Sequence, residues 1–307
     1  MTMVGLSFPR TLIEFQLRFQ TAEACRAYLR YVRWPEGFCC PRCRGQQAFT
    51  LPRRTLDQCK TCGYQVSVTA GTVMHRSHLA LPQWFWAAYL MSTLKPGISA
   101  LQLQRTLGLG SYRTAWSLCH KLRRAMVRPG REQLVGPVEV DEAFIGGPET
   151  GVVGRQTETK TLVVVAVEVR GQRAGRVRMQ VIPDASAESL TAFVVTQIGR
   201  GSRVITDGWK GYAPLEAKGY RHTPKPLRTP ERASKLLPWV HRVISNLKTW
   251  LLGTHHGGMN PYHLQYYLDE FTFRFNRRFI REQAFLSLLG IGVQQQALTY
   301  KQLRSSE

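Results

Sequence analysis

Two pairs of cysteines near the start of the chain place the strongest constraint on its fold. Cys40 and Cys43 form one CxxC pair, Cys59 and Cys62 form a second, and 15 residues separate the pairs. Each pair can present two thiolates from one tight turn, and two such turns make a tetrahedral zinc site. We therefore expect a zinc ribbon with one structural Zn²⁺. Cys39 is an alternative to Cys40, although the Cys-Pro-x-Cys pattern favours Cys40. A redox motif or two unrelated cysteine pairs are the competing interpretations.

The charge of the chain indicates a polyanionic partner. Among 307 residues, 42 Lys and Arg oppose 20 Asp and Glu, which gives a net charge of +22. Nucleic acid is the partner that best fits such an excess of cations, because its phosphates bind Lys and Arg side chains. No segment reaches the roughly 20 apolar residues of a spanning helix, and the first residues do not resemble a signal peptide. We expect no membrane partner and a cytoplasmic protein with reduced cysteines.

The segment from residue 58 to residue 131 contains no Asp or Glu and is predicted to be largely helical. Within 81–128, a short glycine-containing turn separates two helices, an arrangement typical of a helix-turn-helix. An ordinary helical hairpin with a basic face is the competing interpretation. The residues predicted to contact DNA from the second helix are Arg113, Lys121, Arg123 and Arg124.

After residue 136 the pattern changes to strands followed by helices, which predicts a mixed sheet with helices packed on it. The predicted strands are 138–145, 160–169, 176–182 and 204–207, and the predicted helices are 186–198, 212–218, 240–252 and 261–278. A basic, proline-containing connector is predicted over 221–238.

Two aspartates mark the ends of two of these β-type runs. Asp141 follows Val-Glu-Val, Asp207 follows Val-Ile-Thr, and small or turn-forming residues come soon after each. Most such aspartates form turns or caps. Two carboxylates on neighbouring strands of one sheet, however, fit two-metal phosphoryl transfer. A third carboxylate would be expected on a later helix, yet 232–268 contains no Asp or Glu and offers His241 instead. Trp209 and Tyr212, soon after Asp207, are placed to flank a nucleotide.

These motifs together resemble the insertion-sequence transposases of the DDE type that carry a zinc ribbon before an RNase H-like catalytic domain. The matching blocks are the four ribbon cysteines, Val-Glu-Val-Asp-Glu-Ala-Phe-Ile-Gly-Gly from 138 to 147, Val-Ile-Thr-Asp-Gly-Trp-Lys-Gly-Tyr from 204 to 212, Gly-Thr-His-His from 253 to 256, and Tyr-Leu-Asp-Glu-Phe-Thr-Phe-Arg-Phe-Asn-Arg-Arg from 267 to 278. The resemblance implies a multidomain α+β chain. Its expected parts are a helical lead-in over 1–35, the zinc ribbon over 36–70, a helix-turn-helix-like domain over 71–130, an RNase H-like mixed α/β domain over 136–280, and a C-terminal tail over 281–307.

Through the Gly-Thr-His block, the resemblance places His241 at the third catalytic position, where Glu is common, and Lys248 at the basic position seven residues later. Asn246 is a weaker candidate because it breaks this spacing. The implied cofactors are two Mg²⁺ or Mn²⁺ ions held by Asp141, Asp207 and His241. A histidine ligand favours Mn²⁺ over Mg²⁺. His241 as a general base for the attacking water is the alternative.

The function implied by the resemblance is DNA transposition: binding of terminal inverted repeats, hydrolysis at the element end, and attack of the freed 3′-OH on target DNA. Lys210 and Arg242 are further predicted DNA contacts. The resemblance also implies at least a dimer in the synaptic complex and a place at the bacterial nucleoid. A non-catalytic zinc-ribbon regulator of the same DNA-binding architecture, a decayed transposase, and a nuclease or junction resolvase of the same fold are the alternatives.

Overall fold

The computed structural model describes residues 9, 11–146, 160–226, 233–256, 260–296 and 298–304. The first residues of the lead-in, Gly147 of the first aspartate block and the middle of the predicted connector lie outside these residues. The chain divides into two compact units. The first, residues 1–128 with 279–307, is here called the ribbon–helix unit, and the second, residues 129–278, is called the sheet unit.

The ribbon–helix unit contains a three-stranded antiparallel sheet in the order β1-β2-β3. Its strands are β1 (Ala48–Leu51), β2 (Leu56–Cys59) and β3 (Gln65–Val66). Asp57 on β2 is buried and accepts a hydrogen bond from Arg30. This ion pair fixes the small sheet to a preceding helix, because removing the half-exposed Arg30 would leave the buried charge of Asp57 without its cationic partner.

Among the described residues, seven α-helices accompany this sheet in the ribbon–helix unit. They are α1 (Leu12–Arg18), α2 (Ala22–Arg33), α3 (Leu81–Thr93), α4 (Ala100–Leu107), α5 (Tyr112–Arg124), α10 (Arg281–Gly292) and α11 (Tyr300–Arg304). Their core is aromatic, and Phe15 of α1 stacks on Tyr89 with ring centroids 4.1 Å apart and meets Phe285 edge-on at 5.5 Å. The helices of the predicted lead-in therefore contribute to this core, through buried residues that include Phe15 of α1 and Tyr28 of α2.

Helices α4 and α5 are the two helices of the predicted DNA-binding pair. Gly108 ends α4 in the left-handed conformation with φ of 60°, and its N–H donates to carbonyls of the last turn. Ser111 begins α5 by accepting a hydrogen bond from the N–H of Thr114 at 3.1 Å. A left-handed glycine after one helix and a serine cap before the next explain why the chain turns sharply here.

The segment after residue 280 differs from the expected tail. It contains helices α10 and α11, and it groups with residues 1–128 rather than trailing after the sheet unit. Phe285 of α10 is fully buried, and the N–H of Val73 donates to the carbonyl of Gly292 at 3.2 Å. The expectation of a tail is corrected because the apolar residues of 284–291 complete the aromatic core.

The sheet unit is built on a five-stranded mixed sheet in the order β6-β5-β4-β7-β8. Its strands are β4 (Pro137–Ile145), β5 (Thr161–Arg170), β6 (Arg173–Val181), β7 (Arg203–Thr206) and β8 (Arg221–Pro224), and its helices are α6 (Ala187–Gln197), α7 (Ala233–Leu236), α8 (Pro238–His255) and α9 (Leu264–Asn276). β4, β5 and β6 are antiparallel, whereas β7 is parallel to β4 and β8 is parallel to β7.

Helices cover both faces of this sheet. Val163, Val165 and Val167 of β5 point to the face packed by α8 and α9, while Val164 and Ala166 point to the face packed by α6. Because side chains alternate along a strand, one run of valines supplies both cores. The predicted mixed sheet with packed helices is therefore present.

Two local predictions for the sheet unit differ in part from the structure. The connector predicted over 221–238 contains strand β8 and the short helix α7. The short helix predicted over 212–218 is a 3₁₀ helix with shifted bounds, Lys210–Leu215, and has Pro214 inside it. Proline lacks the N–H that an α-helix needs, which accounts for the tighter and shorter turn.

Candidate active site and metal centres

The four ribbon cysteines converge on one point. The Sγ atoms of Cys40, Cys43, Cys59 and Cys62 all lie within 4.8 Å of one another, and Cys39 is outside this group. The Sγ atoms of Cys40 and Cys62 are 3.8 Å apart, and those of Cys43 and Cys59 are 3.5 Å apart. A tetrahedron with Zn–S bonds of about 2.3 Å has edges of about 3.8 Å, so the four thiols fit a closed structural zinc site.

The thiol of Cys59 is prepared to ionise. Burial opposes its ionisation, but N–H groups of Cys62 and Thr61 and the neighbouring thiols outweigh burial and lower the pKa of Cys59 to about 6. Zinc binds thiolates rather than thiols, so this environment favours the metal-binding form.

The register of two parallel strands brings Asp141 and Asp207 together. Val138 on β4 pairs with Val204 on β7, and Glu139 pairs with Ile205. Continued by two residues, this register sets Asp141 beside Asp207, which directly follows β7. Adjacent strands are about 4.8 Å apart, so the two carboxylates lie side by side at the point where β7 ends.

Asp141 is not at a strand end, which corrects the sequence-based expectation. β4 continues to Ile145, where it still pairs with Thr161 of β5. Only the pairing of β4 with β7 has stopped before Asp141, because β7 ends at Thr206. Asp141 therefore lies in mid-strand and borders the opening that β7 leaves.

Each aspartate has one carboxylate oxygen held by a backbone amide. Asp141 Oδ1 accepts from the N–H of Glu142 at 2.9 Å, and Asp207 Oδ1 accepts from the N–H of Trp209 at 2.9 Å. Gly208, with φ of 85°, makes the turn that returns the Trp209 amide to Asp207. These contacts orient both carboxylates before any ligand is bound.

His241 lies in the first turn of α8 and points at Asp141. Its Nε2 is 3.6 Å from Asp141 Oδ2, and this nitrogen is buried without a hydrogen-bond partner among the described residues. Burial lowers the pKa of His241, and the charge of Asp207 opposes that shift only in part. The lowered pKa favours the neutral imidazole, which is the form that ligates metals.

Asp141, Asp207 and His241 do not form a closed ligand cluster. Among the described residues, the four cysteines are the one group of three or more possible ligands whose atoms lie close enough together to hold a metal ion. The donor set of two carboxylates and a neutral imidazole fits a divalent cation, and the unpartnered Nε2 of His241 provides an available donor atom.

Sequence reasoning missed Glu139, which lies two residues before Asp141 on the same face of β4. Its side chain is 4% exposed, and Oε2 accepts hydrogen bonds from the N–H groups of Trp239 at 2.8 Å and Val240 at 2.9 Å. Burial raises the pKa of the Glu139 carboxyl, while these amides and Lys225 counteract the shift. A buried acid in the Val-Glu-Val-Asp run was the available signal, but its partner lies 100 residues away.

A cleft of about 960 Å³ opens beside the aspartates and is lined by Asp141, Glu142, Asp207, Trp209 and Lys160, among others. The indole N–H of Trp209 donates to the carbonyl of Ala185 at 2.9 Å, which fixes the ring at the cleft wall. The cleft is large enough for part of a polynucleotide.

Tyr212 does not flank this cleft as predicted. It is 1% exposed, and burial first, then the nearby carboxylates of Glu142, Asp141 and Asp207, raises the pKa of its hydroxyl well above the usual value. Tyr212 therefore belongs to the core behind the carboxylates, and only Trp209 of the predicted pair lines the cleft.

Most of the predicted DNA-contacting cations reach the surface. Lys248 lies on α8 two turns after His241 and is exposed, as are Lys210 and Arg242, which approach the rings of Trp209 and Trp239. In the ribbon–helix unit, Arg113 and Arg124 are exposed, and Lys121 is half-buried.

Arg123 is an exception. It is 1% exposed and lies on the same side of α5 as the buried Ala115 and Cys119. Because residues four apart share a helix face, Arg123 falls on the inward stripe of α5. The prediction of DNA contact by Arg123 is corrected, since its guanidinium does not reach the surface.

Comparison with known proteins finds two transposase family models that match parts of this chain, and a relative from a transposable element. Residues 133–276 match the model of an ISXO2-like transposase domain, and residues 20–65 match that of a transposase zinc-ribbon domain. The chain is 29% identical over 206 residues to a protein of Halobacterium salinarum described as an uncharacterized protein in transposable element ISH50. That similarity covers 61% of this chain and 68% of the relative.

The chain therefore belongs to the zinc-ribbon-containing insertion-sequence transposases of the DDE type. Membership of this family does not favour the alternative that the chain is a non-catalytic DNA-binding regulator. None of the described helices is both long and apolar enough to cross a membrane.

Proposed function

We propose that this transposase cuts the ends of its own mobile element and joins them to target DNA at the site formed by Asp141, Asp207 and His241. The observation that carries the proposal is that His241 Nε2 lies 3.6 Å from Asp141 Oδ2, beside a cleft that Asp141 and Asp207 both line. Asp141 and Asp207 would hold two Mg²⁺ or Mn²⁺ ions, with His241 as the third ligand. The ions would activate the attacking oxygen and stabilise charge on the phosphate.

The strand order supports an RNase H-like fold for the sheet unit. Numbered within the unit, the strands lie in the order 3-2-1-4-5, with the first three antiparallel and the last two parallel to the first. We assign the first aspartate to the central strand and the second to the end of its parallel neighbour.

Different residues of the chain would contact different parts of the DNA. Trp209, fixed at the cleft wall, would contact the terminal nucleotide, and Lys248 would meet a phosphate along the same face of α8 as His241. Residues 241 and 248 are seven apart, which is close to two helical turns. The neutral imidazole of His241 can serve as a ligand or accept a proton from the attacking oxygen.

Binding of the terminal repeats is assigned to the ribbon and to the helix pair α4–α5, used as a helix-turn-helix. The exposed ribbon cations include Arg53, Arg54 and Lys60, and Lys60 lies 4.9 Å from the centre of the exposed Phe49 ring. Asp57, the one acid of β2, is buried and paired with Arg30. It therefore does not offset the positive charge of the exposed ribbon cations. Synapsis of two ends would require at least a dimer.

The test is cleavage of an end oligonucleotide by the full chain with Mg²⁺ or Mn²⁺. Asp141→Asn and Asp207→Asn are each expected to lower the rate by about 10³-fold or more, because each removes a charged metal ligand. Asp184→Asn is the matched control: this carboxylate lines the same cleft, but its Oδ1 is engaged by the Ser186 N–H and the Ser189 hydroxyl. Metal-dependent cleavage that survives both substitutions at 141 and 207 would exclude the proposed site.

A further inference from the structure

Glu139 accepts hydrogen bonds from the first amides of helix α8. The N-cap residue, Leu237, offers no side-chain cap, and Pro238 has no N–H. The first two amides of the helix are therefore those of Trp239 and Val240, and both donate to Glu139 Oε2, at 2.8 and 2.9 Å. The N–H of the next residue, His241, donates to the carbonyl of Leu237 at 3.3 Å and starts the internal ladder of the helix.

The same strand that holds the start of α8 also carries Asp141. Residues 139 and 141 lie on one face of β4, because side chains alternate along a strand. Glu139 thus joins the backbone just before His241 to the strand that presents Asp141 to the His241 ring. A bond to two successive amides limits both sliding and rotation of the first helical turn relative to β4.

We propose that Glu139 is a positioning residue that holds the His241 ring against Asp141. The role rests on the proposed function, since it serves the site formed by Asp141, Asp207 and His241. Glu139 does not touch the reacting atoms: its side chain is buried beneath the first turn of α8 and acts through the Trp239 and Val240 amides.

A purely stabilising cap makes different predictions. The buried residues Val243, Ile244 and Leu247 pack α8 onto the sheet further along the helix, so loss of the cap leaves the helix in place. Under the stabilising role, removal of the Glu139 side chain lowers stability alone. Under the positioning role, it also displaces the His241 ring and slows chemistry without weakening DNA binding.

The experiment compares Glu139→Ala and Glu139→Gln with wild type in the full, zinc-loaded chain. Asn276→Ala is the matched control, because Asn276 also makes two backbone hydrogen bonds from one side chain, to the N–H and the carbonyl of Val177 at 2.8 and 3.2 Å. Val177 lies on β6, which β5 separates from β4. Glutamine keeps the accepting oxygen of Glu139, so Glu139→Gln tests rescue.

The first readout is the ring resonance of His241 in metal-free, histidine-labelled protein, assigned with His241→Gln. We expect Glu139→Ala to move this resonance in the same direction as Asp141→Asn, and Glu139→Gln and Asn276→Ala to leave it near its wild-type position. This measurement needs neither activity nor bound metal. A wild-type resonance in Glu139→Ala, an equal displacement in Asn276→Ala, or no rescue in Glu139→Gln would overturn the positioning role.

The second readout is cleavage of the end oligonucleotide. We expect Glu139→Ala to lower kcat by about 10- to 100-fold, as for an angstrom-scale misplacement, with an unchanged KM for DNA. Unchanged kcat would overturn the positioning role while leaving the proposed function intact. Absence of cleavage by the wild-type chain would count against the proposed function, and the ring resonance would still decide the role of Glu139.

Discussion

The substitution His241→Glu introduces the acid that the resemblance implies at this position. The free energy of unfolding of this variant tests whether residue 241 faces Asp141. Glu at 241 would bring a second carboxylate close to Asp141 Oδ2, which lies 3.6 Å from the Nε2 of His241. Two like charges at that distance repel by about 5 kcal/mol at an effective dielectric constant of about 20 and by about 1 kcal/mol in water. The His241 side chain is 28% exposed, so the site lies between these limits.

We therefore expect His241→Glu to be about 2 kcal/mol less stable than His241→Gln in EDTA at pH 8, where both carboxylates are ionised. Glutamine has the shape of glutamate without its charge, so the comparison isolates the repulsion. A bound divalent cation removes the repulsion, and Mg²⁺ should raise the melting temperature of the glutamate variant more than that of the glutamine variant. The expected difference in EDTA is about 4 to 8 °C for a unit of this size.

The assay is thermal unfolding of both variants across a Mg²⁺ and Mn²⁺ titration, with Ca²⁺-free buffer and constant ionic strength. Equal melting temperatures in EDTA would show that residue 241 does not face Asp141. A deficit in EDTA that Mg²⁺ fails to reverse would show that the two carboxylates meet but do not form a cation site. Each result refutes a different step of the reasoning.

Three further predictions concern other parts of the molecule. Cys40→Ser should abolish binding of one Zn²⁺ per chain, whereas Cys39→Ser should retain it, because Cys40 lies in the thiol cluster and Cys39 does not. The zinc content of each variant, measured with a chromophoric chelator, tests this prediction. Burial raises the pKa of Asp269 to about 6, so stability should fall as pH rises from about 4 to 6. Asp269→Asn should remove about 3 kcal/mol of that loss, which urea unfolding at pH 4 and pH 8 would test. Lys60→Gln should lower the slope of log affinity against log salt by about 1 for an end oligonucleotide, and an unchanged slope would exclude Lys60 from the DNA contact.

The sequence anticipates the parts of this fold that depend on local chemistry. The CxxC spacing predicts the thiol cluster, and the apolar runs around residues 141 and 205 predict the two strands that carry the aspartates. The helix predicted over 186–198 is also present as α6, and Ser186 caps it by accepting from the N–H of Ser189 at 3.2 Å. Each of these features is specified within about 20 residues of chain.

Features that depend on distant residues could not be predicted in this way. Strand β8 has the sequence Arg-His-Thr-Pro, without apolar alternation, and forms because it pairs with β7 at the edge of the sheet. Arg123 is one of several cations on α5, and only the packing of the helix determines that it faces inward. The contact of Glu139 with the α8 amides joins residues 100 and 101 positions apart.

The anchoring of α8 offers a physical reason why a histidine can stand where an acid is common. Glu139 holds the backbone of the first turn, so the position of residue 241 is set without any contribution from its side chain. Under the proposed function, exchange of glutamate for histidine then changes the metal ligand but not the backbone position of residue 241. The changed ligand carries no charge, which removes its repulsion with Asp141 in the metal-free protein and weakens its hold on hard cations. An Asp-Asp-His site should accordingly favour Mn²⁺ over Mg²⁺ relative to its His241→Glu variant, and cleavage rates with the two metals measure that shift directly.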